Sequence, residues 1–266
     1  MPQETFTFAQ TITTQCQKKE SLYLEYKTRY LVRSIYAGIL LTFSTAAGAF
    51  AAGLLNQFDP VIGRLLFSFI FSFGLVFILF LRTELATSNM MYLTAGVIHE
   101  ALPLKNALKI LFYCTLGNLI GALAIGFLIA NTGAFIDLTP DHYIAATVQK
   151  KLAKDTAQIL IEAVLANMLV NTGILGYLFA KNEMAKITIV VSAISMFVLL
   201  GYEHVIANFS SFSIVAFTQV AGEEWFTIGG VVRQWALTFV GNYIGGGILM
   251  GFVYAWLNRV NISYID

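Results

Sequence analysis

The chain has 266 residues, 58% of them hydrophobic and only 12% charged, and its mean hydropathy is +0.73. Soluble domains carry about 25% charged residues, so a soluble enzyme is excluded and a polytopic membrane protein is required. The net charge of +1, with no basic tail interleaved with aromatics, gives no footprint for nucleic acid.

Residues 1–30 are polar, with Lys18, Lys19, Lys27 and Arg29. They contain no short apolar core with a cleavage site, so no signal peptide is expected. The segment reads as a cytoplasmic amphipathic stretch along the membrane surface, or equally as a solvated tail. Its basic residues are also able to dock over a pore mouth, so gating by this segment is an open expectation. The transmembrane domain is expected over 31–258, in six spans at 31–54, 64–97, 107–130, 156–180, 185–217 and 232–257, with a cytoplasmic tail at 259–266. The polar stretch 131–155 separates two halves, about 31–131 and 156–258.

Spans two and five are too long. The second would run to roughly 50 Å against a hydrocarbon core of about 30 Å. Each carries a polar island, at 82–89 and 202–213, and Pro60, Pro103 and Pro140 all fall between spans. Proline kinks are thus ruled out, and the islands themselves are expected to break the helices. Irregular backbone at membrane depth survives only inside protein or beside a cavity, so two breaks predict a site between them.

Lys18, Lys19, Lys27, Arg29, Arg33, Lys105, Lys109, Lys181, Lys186 and Arg259 fall on the side of the termini. Arg64, Lys150, Lys151, Lys154 and Arg233 fall on the other. The excess places both termini in the cytoplasm.

Within the fifth span, Glu203 and His204 stand side by side with Asn208 one turn on. An ionisable residue at the bilayer centre costs roughly 2.5–3.5 kcal/mol on insertion scales and by default marks a pathway. Histidine is the side chain whose unperturbed pKa lies in the physiological range, so His204 is the candidate centre of a pore for a small monovalent anion or its conjugate acid. Adjacent helical residues do not face each other, so Glu203 is expected to cap the amides of the broken helix, with Glu84 doing the same in the other half. His99 and His142 read as surface, and Asp137, Asp141 and Asp155 as a solvated loop. Cys16 and Cys114 have no partner spacing, so neither a disulfide, a metal nor a cofactor is expected.

The halves repeat. Glu84-x4-Asn89 in span two matches Glu203-x4-Asn208 in span five. Gly117-Asn118-Leu119-Ile120-Gly121 in span three matches Gly241-Asn242-Tyr243-Ile244-Gly245 in span six. Three spans per repeat force opposite orientations, which is the inverted-repeat architecture in which interrupted helices meet near the midplane. The glycines permit close helix contact. Asn118 and Asn242 need partners in an apolar span, and either glue helices or face the pore.

GYEHVIANF around His204, TELATS from Thr83 to Ser88, LANMLV from Leu165 to Val170 and VGNYIGGG from Val240 to Gly247 together resemble the formate/nitrite transporter family, over about residues 15–258. The resemblance implies a homopentamer with an aquaporin-like fold and a separate pore in each protomer. It implies transport of formate foremost, with nitrite, hydrosulfide or another small weak-acid anion as alternatives. By position, His204 resembles the central pore histidine and Thr87 the hydroxyl that meets it. Phe71, Leu75, Phe197 and Val170 resemble the apolar constrictions, and Asn167 and Asn242 the pore-side amides. Lys151 resembles the lysine of the outer vestibule, with Lys150 and Lys154 leaving that register open. Asn89 and Asn208 join Glu84 and Glu203 as supports of the breaks. Three positions depart from the pattern: Arg82 stands at a usually small residue, Ala86 at a usual Phe, and Asn171 at a usual Cys.

Other classes lack their residues. A neutral-solute channel of aquaporin type needs Asn-Pro-Ala motifs, and none is present. An intramembrane enzyme needs a constellation such as HExxH or GxSxG, and neither occurs. Asn208-Phe-Ser and Asn261-Ile-Ser match a glycosylation acceptor but are not plausibly exposed outside.

Overall fold

A computed structural model describes residues 7–56 and 58–258. The expected tail 259–266, with Arg259 and Asn261, lies outside the described residues. The protein is all-helical: α1 (Phe8–Glu25), α2 (Lys27–Asn56), α3 (Pro60–Phe80), α4 (Ala86–Ile98), α5 (Leu104–Ala130), α6 (Tyr143–Ala153), α7 (Thr156–Phe179), α8 (Glu183–Leu200), α9 (Val205–Ala216) and α10 (Ile228–Leu257). Of these, α2, α3, α5, α7, α8 and α10 are long and apolar enough to cross a membrane. Their outward faces carry Phe69, Phe77, Phe112 and Phe127, all exposed in the single chain, as expected of surface that meets lipid or another subunit.

Helix α2 packs between α3 and α5, and α7 between α8 and α10. The α2–α5 contact brings backbones together: a Cβ on Gly38 would collide with Asn118 O, and one on Gly121 with Ile35 O. In α10 the turns widen over Tyr243–Phe252. That segment packs on α4, and α9 packs on α5.

Residues 81–85 and 201–204 are not helical, so α4 and α9 begin deep inside the bundle. A helix start leaves amide hydrogens unpaired, and no water is at hand in a bilayer. One asparagine answers each. Asn118 Oδ1 accepts from Ala86 N at 2.9 Å, and its Nδ2 donates to Ser34 O and Glu84 O at 2.7 and 2.8 Å. Asn242 Oδ1 accepts from Val205 N at 2.8 Å, and its Nδ2 donates to Ala163 O and Glu203 O at 2.7 and 2.9 Å. The expectation that Glu84 and Glu203 cap these amides is therefore corrected: neither carboxylate accepts from a helix-start amide among the described residues.

The chain turns out of α8 through Gly201, whose φ of 74° is left-handed and free of cost for glycine. At the matching place after α3, Arg82 adopts φ 54°. A side chain there costs roughly 1–2 kcal/mol.

Helix α1 packs against α2, α4 and α5. Ile12 and Cys16 are buried, Cys16 Sγ reaches Tyr92 O at 3.0 Å, and Asn106 donates to Glu20 at 2.5 Å. Phe8 meets Tyr254 of α10 with ring centroids 5.9 Å apart, so the two ends of the described chain share one side.

Replacing Asn118 or Asn242 by Ala strands buried amides and is expected to cost about 1–3 kcal/mol per unmatched group, read as a fall in thermal unfolding temperature in detergent. Asn131→Ala, at the exposed end of α5, is expected to stay within about 0.5 kcal/mol of the parent.

Candidate functional site: a septum between two cavities

Two cavities open at opposite ends of α3 and α7. The larger, 780 Å³, is lined by Arg64, Phe67 and Phe71 of α3, by Lys150 and Lys151 of α6, by Gln158 and Glu162 of α7, and by Phe197 at the end of α8. The smaller, 440 Å³, is lined by Ile78 and Leu79 of α3, Tyr177 and Leu178 of α7, Glu84 and Ser88 beside the break, and Lys18 and Lys19 of α1. His204, Thr87, Leu75 and Val170 line neither and are buried between them.

His204 caps α9: its Nδ1 accepts from Ala207 N at 3.1 Å. A ring nitrogen that accepts carries no proton, so the neutral ring holds its proton on Nε2. Nε2 lies 2.8 Å from Thr87 Oγ1 in the first turn of α4, and with this tautomer the threonine oxygen accepts. The two helix starts thus meet through these side chains. Phe197 lies over the imidazole, with centroids 5.7 Å apart, and meets Phe71 edge-on at 6.2 Å. Phe71, Leu75, Phe197 and Val170 are all at most 3% exposed.

The amides at 167 and 242 spend their groups on the protein. Asn167 Nδ2 donates to Asn242 O at 2.7 Å and Thr87 O at 3.2 Å, and its Oδ1 accepts from Asn171 at 3.1 Å. Asn242 is wholly engaged at the α9 start, so the pore-side orientation expected for it gives way to a cap. Nothing in the sequence spacing could reveal this, because the partners are main-chain atoms from a distant helix.

Glu203 is fully buried and accepts from Lys151 at 2.8 Å, Lys154 at 2.6 Å, Gln234 at 2.7 Å and Asn208 at 2.8 Å. Lys154 also donates to Gly201 O at 2.9 Å and pairs with Glu162. Burial lowers the Lys151 ammonium from its ordinary value, with the Glu203 carboxylate pulling the other way. Across the bundle, Glu84 Oε2 accepts from Lys19 at 2.7 Å and from Asn89 at 3.0 Å. Buried carboxylates persist only when paired in this manner. Of the vestibule lysines left open by the sequence, Lys151 and Lys154 are engaged, while Lys150 and Arg64 make no ion pair among the described residues.

His142, expected at the surface, is half-buried and caps α6, its Nδ1 accepting from Ile144 N at 3.3 Å. Among the described residues no group of three or more His, Cys, Asp and Glu side chains could hold a metal ion.

Two cavities facing each other across a thin, buried, largely apolar septum are the layout of a channel or transporter. The family model described as Formate/nitrite transporter matches residues 7–256, and the chain belongs to that family. An uncharacterized transporter of Bacillus subtilis, YwcJ, is 26% identical over 241 residues, covering 91% of this chain and 93% of the relative. The formate channel BtFdhC of Bacillus thuringiensis is 29% identical over 189 residues, 70% of each chain. Among solved structures, an FNT family ion channel superposes with a TM-score of 0.88 at 23% identity, over 95% of this chain and all (100%) of that one. A pentameric formate channel with formate bound gives 0.71 at 21%, over 86% and 96%.

The α6 cap carries a pH dependence. Burial pushes the His142 imidazole below its ordinary value, against the opposing pull of Asp141. A depressed folded value means the cap contributes stability above the ordinary histidine value, about 6.5, and loses it as pH falls through the lower folded value. Hydrogen-exchange protection factors in α6 are expected to drop on acidification in the parent and to stay level in His142→Asn, whose acceptor does not titrate. Protection that ignores pH in the parent would show that the cap contributes nothing.

Proposed function

We propose that each protomer carries a small monovalent anion, formate foremost, through a pore running from one cavity to the other past His204 and Thr87. Nitrite, hydrosulfide and similar weak-acid anions are the alternatives. The observation that carries the reading is the His204–Thr87 pair, which joins the two helix starts inside the septum between two charged cups. The protein is read as a homopentamer in the cell membrane with cytoplasmic termini, so the cavity beside α1 faces the cytoplasm. The six spans are read as two inverted three-span repeats, α3–α4 and α8–α9 being the interrupted ones. The matched Asn118 and Asn242 caps support the symmetry, as do the matched Glu84–Asn89 and Glu203–Asn208 bonds.

An anion pays heavily for desolvation among Phe71, Leu75, Phe197 and Val170. A neutral acid pays far less. In this reading Lys150 and Arg64 gather anions in the outer cup, while Lys151 and Lys154 keep Glu203 ionised and in place. His204 then supplies a proton. A proton from water of the outer cup enters the ring at Nδ1 and breaks its bond from Ala207 N, giving the imidazolium. Its Nε2 proton passes to the Thr87 hydroxyl as that hydroxyl gives its own proton to the anion. The ring is left neutral with its proton on Nδ1; loss of that proton to water as Nε2 takes one back restores the tautomer that accepts from Ala207 N. Thr87 positions the transfer, and the acid crosses the gate uncharged.

The test is anion uptake into proteoliposomes with formate, nitrite, hydrosulfide, lactate and chloride. The parent is expected to pass one small weak-acid anion and to exclude chloride. Flux in His204→Asn is expected to fall at least about tenfold, a barrier rise of 1.4 kcal/mol. Equal flux in parent and variant would contradict the role of the imidazole.

A further inference from the structure

The cavity beside α1 is charged in a way that the pore reading does not use. Lys18 and Lys19 of α1, Arg33 of α2 and Arg82 of the α3–α4 break line it, and among the described residues Glu84 is its only lining carboxylate. Glu84 is already committed to Lys19 and Asn89. Lys18, Arg33 and Arg82 make no ion pair or side-chain hydrogen bond among the described residues. At 440 Å³ the cavity is far larger than a carboxylate of one carbon needs. Four cations against one carboxylate exceed what a singly charged ion can balance.

Arg82 sharpens the point. Its backbone is left-handed at φ 54°, at the place where the other half of the chain has Gly201 at φ 74°. Glycine would remove the strain, so a guanidinium kept at such a place calls for a functional account. Guanidinium groups bind the oxygens of phosphate in pairs, and lysine adds a point charge. Gln15 and Tyr92 in the same lining offer further donors.

We infer that this cup binds a phosphate-bearing polyanion, held by Arg82, Arg33 and Lys18. Ile78 and Leu79 in its lining lie one turn of α3 beyond Leu75. An occupant therefore covers the pore mouth on the side of α1. That last step rests on the pore reading; the binding site does not.

Binding is read first, without flux. The parent is reconstituted in phosphatidylcholine nanodiscs and titrated with sodium pyrophosphate at constant ionic strength, following thermal unfolding. A saturable rise in unfolding temperature is expected, with the apparent Kd weakened at least tenfold in Arg82→Gly and in Arg33→Gln. Arg82→Gly removes the charge and relieves the strain, and an unligated unfolding temperature at or above the parent's shows that a loss of binding there does not come from misfolding. No saturable shift in the parent, or the same Kd in the variants, would overturn the site. Repeating the titration in discs containing phosphatidylglycerol separates two sources of the phosphate group. An unchanged pyrophosphate Kd assigns the cup to a soluble ligand, and a weakened one assigns it to a lipid headgroup. Formate flux with pyrophosphate on both faces of a vesicle is then expected to fall in the parent and not in Arg82→Gly. Undiminished parent flux with binding intact would overturn the covering of the mouth and leave the site standing.

Discussion

An α-helix that starts inside a packed bundle of apolar helices has amide hydrogens with no water to meet them, and this protein starts two such helices. Asn118 and Asn242 meet that constraint, each from a neighbouring long helix, by accepting from the first amide and holding two carbonyls with the same carboxamide. With the breaks secured, the first turns of α4 and α9 can face each other. His204 and Thr87 sit on those turns and reach each other at 2.8 Å. Were either cap lost, the breaks would have to close or flood, and the geometry of the septum would go with them.

The buried carboxylates tie this inner structure to its two faces. Glu203 is fixed by Lys151 and Lys154, which anchors α6 and the turn after it over one cavity. Glu84 is fixed by Lys19, which anchors α1 over the other. Each mouth of the septum is thus built by a helix outside the six long apolar ones, whose lysine offsets the desolvation of a carboxylate near a break. Removing the cation would leave a buried charge unpaired, the costly way to break such a pair. Lys19, Lys151 and Lys154 are thereby held in place, while Lys18 and Lys150 on the same two helices are left unpaired among the described residues.

Much of this was legible in the residues. The over-long apolar stretches, the polar islands at 82–89 and 202–213, and the repeated Glu-x4-Asn and Gly-Asn-x-x-Gly spacings all follow from composition and period alone. The family likeness added Thr87 as the partner of His204, which spacing could not supply across 117 residues. What stayed hidden was who bonds to whom. Glu203 looked like a helix cap because it precedes one, yet main-chain amides are invisible in a sequence and Asn242 takes that place. Helix α1 looked like a surface segment because its charge masks how Ile12 and Cys16 are buried. The widened turns of α10 leave no mark beyond three consecutive glycines, and although the Glu-x4-Asn register sets Arg82 opposite Gly201, that both are left-handed is seen only in the structure.

The central claim is that the anion takes a proton at His204 and crosses the septum uncharged. The most direct measurement is the ratio of protons to anions taken up by proteoliposomes, read together from an internal pH dye and labelled formate. One proton per formate in the parent, with coupling lost in His204→Asn, is the result predicted. Formate uptake with no accompanying protons, or the same ratio in parent and variant, would contradict it.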